Sequence, residues 1–208
     1  NLFNNCKLFF LNIEQLTRNK YLEYVLRKKI SLLDFSFENV NILNKLNKKC
    51  KYLPYQVNYD EIFCHDKIYD VAIIGKLNNR RKNIYNELKK NKVNIINIIK
   101  WSKERDDKIF KSKIILNIHY SDEYNIFEEL RCNRCIFNKV IVLTEQSKNL
   151  DNFMFKNNII VSKYKNLVNK TIDILKNYEE YYNNLFCNFD INKINNNLIK
   201  IFKKNILD

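Results

Sequence analysis

Gly75 is the only glycine in 208 residues, and four cations follow it closely: Lys76, Arg80, Arg81 and Lys82. The apolar run Val71-Ala72-Ile73-Ile74 before it predicts a strand, and the cations open a helix. A strand, a glycine turn and a cationic helix start together can hold a diphosphate. Backbone N–H groups at a helix start point at the anion, and Lys or Arg heads complete the charge. A residue without Cβ lets the backbone approach a ligand or take φ > 0. The bland alternative is a solvated helix start in a Lys-rich chain, and the placement of the single Gly tips the reading toward an anion site.

A second set of reactive side chains lies downstream. His119 and Tyr120 end the run Lys113-Ile114-Ile115-Leu116-Asn117-Ile118. Glu128 and Arg131 stand three apart on a predicted helix, where an ion pair worth a few tenths of a kcal/mol competes with ligand contact. Glu145 ends the run Lys139-Val140-Ile141-Val142-Leu143-Thr144. Trp101 follows a further strand, and its ring can flank a base.

The elements that must position these groups alternate. Strands are predicted at 69–74, 93–99, 114–118, 139–143 and 158–161, with helices at 80–91, 104–112, 125–137 and across 164–185 and 190–206. Continuous apolar strands separated by helices indicate a parallel sheet covered on both faces. Ligands of such sheets bind beyond the carboxyl ends of the strands. Gly75, Trp101, His119 and Glu145 all follow strands and are expected on one rim. Upstream, 6–13 reads as a buried strand, 21–29 as a helix and 30–36 as a strand. A helix through Leu46 follows, with Asp34 or Ser36 as its cap, then a strand from Cys50 to Tyr55. The polar stretch 56–67 separates two lobes. The organisation is therefore 1–55, a linker 56–67, a Rossmann-like lobe 68–185 and a C-terminal helix within 186–208.

Composition narrows the classes. About one residue in six is Asn, with Lys, Ile, Tyr and Phe also abundant, as AT-rich codons dictate; the source is expected to be an AT-rich organism or large virus. That bias inflates Lys, so the net charge of +14 says little about polyanion binding. A nucleic-acid binder needs cations on one face with aromatics between them. Here Lys is scattered over every segment, so nucleic acid is not the expected partner. No apolar run approaches the roughly 20 residues of a membrane span and no signal-peptide pattern opens the chain. These features predict a cytoplasmic protein, or one in the host cytoplasm or virion if viral. Cys132 and Cys135 form a CxxC without a second pair or His at zinc spacing, and Cys64-His65 is isolated, so no metal site is expected.

Ile73-Ile74-Gly75-Lys76 with Arg80-Arg81 resembles the opening of the donor-binding lobe of GT-B glycosyltransferases, families 1 and 4 among them. Leu116-Asn117-Ile118-His119-Tyr120, then Phe127-Glu128-Glu129-Leu130-Arg131 and Val142-Leu143-Thr144-Glu145, is similar to a subgroup of that family. Asn12-Ile13-Glu14-Gln15-Leu16, Asp34-Phe35-Ser36 and Tyr52-Leu53-Pro54-Tyr55 look like the last third of its acceptor lobe. The resemblance implies an α/β GT-B protein with a partial N-terminal lobe and no tightly bound cofactor. It would transfer sugar, without a metal, from a UDP- or GDP-sugar to the hydroxyl of a glycan, protein or small molecule.

The implied roles follow residue by residue. Gly75, Lys76, Arg80 and Arg81 hold the diphosphate. His119 and Tyr120 contact the donor or leaving group. Glu128, beside Arg131, or Glu145 accepts ribose hydroxyls, and Trp101 flanks the base. Glu14 and His119 are the candidate catalytic groups, Glu14 as general base in the cleft. The segment departs from the family where Arg134 stands in place of an expected ribose-binding acid. Only about 55 residues precede the linker, against well over a hundred in a full Rossmann-like acceptor lobe. Both departures favour a non-catalytic relative as the alternative.

Overall fold

The computed structural model describes residues 7–63, 66–99, 103–148 and 150–207. Two parallel sheets lie in sequence. The first lobe holds β1 (Phe9–Asn12), β2 (Ser31–Asp34) and β3 (Cys50–Tyr52) in that order, joined by α1 (Asn19–Leu26) and α2 (Phe37–Lys45). The second holds β4 (Tyr69–Ile74), β5 (Ile95–Ile98), β6 (Ser112–Asn117), β7 (Ile141–Glu145) and β8 (Ile159–Ser162), in the order β5-β4-β6-β7-β8. Its helices are α3 (Asn79–Lys90), α4 (Lys103–Phe110), α5 (Glu129–Phe137), α6 (Leu167–Lys176) and α7 (Tyr178–Phe186). Helix α8 (Ile191–Phe202) follows. The chain reverses direction across the sheet between β4 and β6, and the crevice beyond their carboxyl ends is where such sheets take ligands.

The central strands are apolar on both faces because helices cover both. Val71, Ile73, Ile114, Ile115, Ile141 and Val142 are fully buried, each worth about 1.5–3 kcal/mol relative to exposure. β1 departs from expectation. It is an edge strand, with Leu8, Leu11 and Ile13 exposed, because only β2 pairs with it among the described strands. Helix α5 also begins later than predicted. Residues 125–128 stay outside the helix, Ile126 bridging to Lys148, so Glu128 caps the helix instead of lying within it. The segment after β7 forms only short 3-10 turns. Ser36 caps α2 without a side-chain bond; its N–H donates to Asp34 instead.

Helix ends show how a chain poor in glycine manages its turns. Asn47, Lys92 and Lys139 take φ of 57°, 60° and 50° just past α2, α3 and α5. Each end closes with a six-to-one bond, such as Lys48 N–H to Leu43 O and Val93 N–H to Leu88 O. This is the left-handed stop normally given to Gly. Asn or Lys at that φ is strained only modestly. Gly75, at φ +100°, lies outside what those residues reach comfortably.

The chain crosses between lobes twice. The linker packs on α5, with Glu61 accepting from Arg134 and Tyr55. Helix α8 buries Leu198 in the second core and packs Ile201 against the first, and Asn205 beyond it donates to Tyr52 O at 2.7 Å. No helix among the described residues is long and apolar enough to cross a membrane.

Candidate functional site

The rim beyond β4, β6 and β7 gathers most of the predicted residues. Gly75 turns the chain out of β4, its carbonyl accepting from Asn97 Nδ2 at 2.8 Å. Asn78 caps α3 by accepting from Arg81 N–H, and its own Nδ2 donates to Tyr120 O. This pins the end of the β4 turn to the loop after β6. A Cβ on Gly75 would meet Arg81 Nη1 at 3.1 Å.

Arg81 is 7% exposed. Its Nε and Nη2 donate to Ile118 O at 3.0 and 2.7 Å, and Nη1 reaches Lys76 O at 3.3 Å. All three bonds end on main-chain carbonyls. No carboxylate ion-pairs with it among the described residues. Burial, then the neighbouring Arg131 guanidinium, pulls Arg81 down to about 10, partly offset by Glu128. It remains charged at neutral pH. Arg131 Nη1 donates to Asn117 Oδ1 at 3.0 Å, and its Nη2 stands 4.0 Å from Glu128 Oε2. Two guanidinium groups thus share the β4–β6 crevice with one half-buried carboxylate, and a bound anion would relieve the imbalance.

Arg80 is differently placed. Nη1 and Nη2 grip Glu145 at 2.5 Å each, Nη2 reaches Asp122 at 2.9 Å, and the guanidinium stacks 4.0 Å from the Tyr164 ring. The hydrogen bond to Glu145 holds Arg80 above its ordinary range. Glu145 also accepts His119 N–H at 3.3 Å. Arg80 and Glu145 therefore satisfy each other across the rim. Lys76 is exposed.

His119 is buried, its Nε2 3.1 Å from both Gln146 O and Ser147 Oγ, and burial lowers its pKa. A carbonyl can only accept, so Nε2 carries the proton. Tyr120 is exposed, 6.2 Å from the Tyr124 ring, with Arg81 lying 5.9 Å from its centroid. Glu14 is not gathered with these groups. It lines a hollow on the first lobe with Phe10, Leu11, Tyr21 and Tyr24, and faces Arg18 at 3.7 Å. Trp101 lies outside the described residues, as do Cys64 and His65. Arg134, where the resemblance expects a ribose-binding acid, is engaged elsewhere. It turns away to Glu61 and Asp106, at 2.8 and 3.0 Å. Cys132 and Cys135 are buried free thiols.

The first lobe contributes residues that sequence reasoning left in an unassigned loop. Gln15 Nε2 donates to Glu128 Oε1 at 2.5 Å, and Arg18 stacks 4.2 Å from the Tyr124 ring. The loop is held by buried polar side chains. Asn39 donates to Glu14 O and accepts from Leu16 N–H, and Asp34 accepts from Asn12, Asn39 and Ser36. Burial lifts Asp34 to about 7 against those bonds. The available signal was Asn12 and Asp34, polar residues that end apolar runs. Below the loop, Tyr52 Oη donates to buried Glu129 at 2.7 Å across the lobes.

No family model matches the chain. It is similar to the glycosyltransferase TarM, of GT-B fold, with a TM-score of 0.59 at 10% identity over 96% of this chain and 51% of TarM. Protein R358 of Acanthamoeba polyphaga mimivirus is 33% identical over 219 residues, covering all of this chain and 77% of R358. Proteins L137 and L140 of the same virus are 32% and 35% identical, but the chain spans only 28% and 59% of their lengths. The architecture is α/β, with parallel sheets flanked by helices as in a GT-B glycosyltransferase, and the chain belongs to the family of mimivirus protein R358.

Proposed function

We propose that this chain binds a nucleoside-diphosphate sugar beyond β4 and β6 and transfers the sugar to an acceptor hydroxyl. The observation that carries this reading is Arg81: a buried cation at the strand-order reversal, bonded to carbonyls, beside a second guanidinium. In the reaction, the acceptor oxygen bonds to the anomeric carbon as the bond from that carbon to the diphosphate breaks. The diphosphate leaves with the electron pair, and the hydroxyl proton passes to it or to water. Arg81, Arg131 and the amino end of α3 stabilise the departing charge. In this reading Glu128, which also accepts from Gln15, takes the ribose hydroxyls beside that charge.

Thermal shift tests the reading. A ligand bound only by the folded state stabilises it by mass action, about 2.7 kcal/mol at a hundred times its Kd. UDP, GDP, ADP or one of their sugars should raise Tm; no rise with any of them at millimolar concentration removes the donor site. A second reading, binding without transfer, draws on two observations. Glu14 is engaged with Arg18, and His119 Nε2 is spent on Gln146 and Ser147. Nucleotide release from a bound donor sugar separates the two readings.

A further inference from the structure

Beside the anion pocket, the loop after β1 faces the loop after β6 across an open cleft of about 430 Å³, lined by Arg18, Asn19, Lys20, Tyr120 and Tyr124. Its size is within the range of small-ligand sites. Its charged lining is cationic only, with Glu14 reaching Arg18 from outside at 3.7 Å. Among the described residues, buried polar atoms on both loops lack partners: Gln15 Oε1, Thr17 Oγ1 and Arg18 Nε on one, Ser121 Oγ and Asn125 Oδ1 on the other.

We infer that this cleft binds a sugar carrying a negative group, a uronate or a phosphosugar, as the acceptor in the transfer proposed above. Each part of such a ligand has a counterpart. Sugar hydroxyls donate and accept, which suits the Asn19 amide and the two tyrosine hydroxyls of the lining residues. The C–H face of a pyranose packs on an aromatic ring, and Tyr120 and Tyr124 present two rings tilted by 30°. The negative group meets Arg18 and Lys20. Tyr120 joins the two sites, following His119 in sequence and lying beside Arg81.

Glucuronate, glucose 6-phosphate, glucose and inorganic sulfate, each titrated by isothermal calorimetry into the full chain, test this. Both anionic sugars should bind at least tenfold tighter than glucose and than sulfate. Arg18→Ala with Lys20→Ala should remove that preference and leave UDP binding unchanged. Arg81→Ala should do the reverse. Tyr124→Ala, which keeps all the charges, should weaken both anionic sugars and serves if the Arg18 variant fails to fold. Equal binding of glucose and glucuronate, sulfate binding as tightly as glucose 6-phosphate, or no sugar binding overturns the inference. Anionic sugars binding where UDP does not would sink the donor reading and leave this cleft standing.

Discussion

The Arg81 guanidinium lies against the face of Gly75 that carries no Cβ: a methyl there would stand 3.1 Å from Nη1. Because the other face of that guanidinium is fixed to Ile118 O, Arg81 has little room to yield. The one glycine and the one buried cation without a carboxylate partner among the described residues are thus a single device.

Gly75→Ala should therefore act twice. The backbone at φ +100° is strained for Ala by about 1–3 kcal/mol, and the methyl pushes Arg81 off Ile118. Urea unfolding should show the stability loss, and calorimetry a loss of UDP affinity larger than that of a stability-matched core variant. Equal affinity losses in the two variants would leave the Gly75–Arg81 contact without functional meaning.

Arg80 and Arg81 are adjacent but should fail in different ways. Arg81→Ala removes a charged donor from the proposed diphosphate site, worth roughly 1.5–3 kcal/mol of ligand binding per bond. Lys203→Ala with Lys204→Ala, remote from the pocket, should leave UDP binding unchanged, and moderate salt should matter little. Nonspecific polyanion binding would instead weaken in both variants with a steep salt dependence.

Arg80→Ala strands the buried Glu145 carboxylate and should cost about 3–5 kcal/mol of stability. Replacing both partners, Arg80→Met with Glu145→Leu, should recover much of that loss. A double-mutant cycle with no coupling between the two positions would show that the pair carries no structural load.

Glu128→Ala should weaken UDP while sparing inorganic pyrophosphate if, as proposed, the carboxylate addresses ribose and the guanidiniums address phosphate. Pyrophosphate binding that falls in parallel with UDP would reassign Glu128 to holding Arg131 in place.

Stability should fall as pH rises. Burial lifts Glu129 to about 8 from an ordinary 4.5, so in that window the folded chain keeps a proton that the unfolded chain has lost. Such a group removes up to about 1.4 kcal/mol per pH unit until its folded pKa is passed. Asp34 adds a slope of the same sign up to about 7. Urea midpoints should be lower at pH 8 than at pH 5, and Glu129→Gln, still able to accept from Tyr52, should flatten the upper part of the profile. A profile unchanged by that substitution would mean Glu129 is ionised in the fold.

The second lobe was legible because β4, β6 and β7 are buried on both faces and read as unbroken apolar runs. β1 misled because its four residues are as apolar as a central strand, while its edge position is a property of the whole sheet. The start of α5 was hidden for the same reason, as the Ile126–Lys148 bridge comes from a strand-like contact between distant segments. Helix ends were blurred by Lys and Asn standing where Gly usually marks the stop. Arg80 and Glu145, 65 residues apart, were both recognisable as rim residues. Nothing in their types or spacing said that they would bond to each other.

The two chain crossings between lobes meet at one residue. Tyr52 ends β3 at the start of the first crossing, Asn205 of the second holds its carbonyl, and its hydroxyl is anchored on Glu129. Tyr52 is therefore tied from both sides of the lobe boundary, and Tyr52→Phe, which removes the bond to Glu129 and leaves the carbonyl to Asn205, would undo one tie without the other.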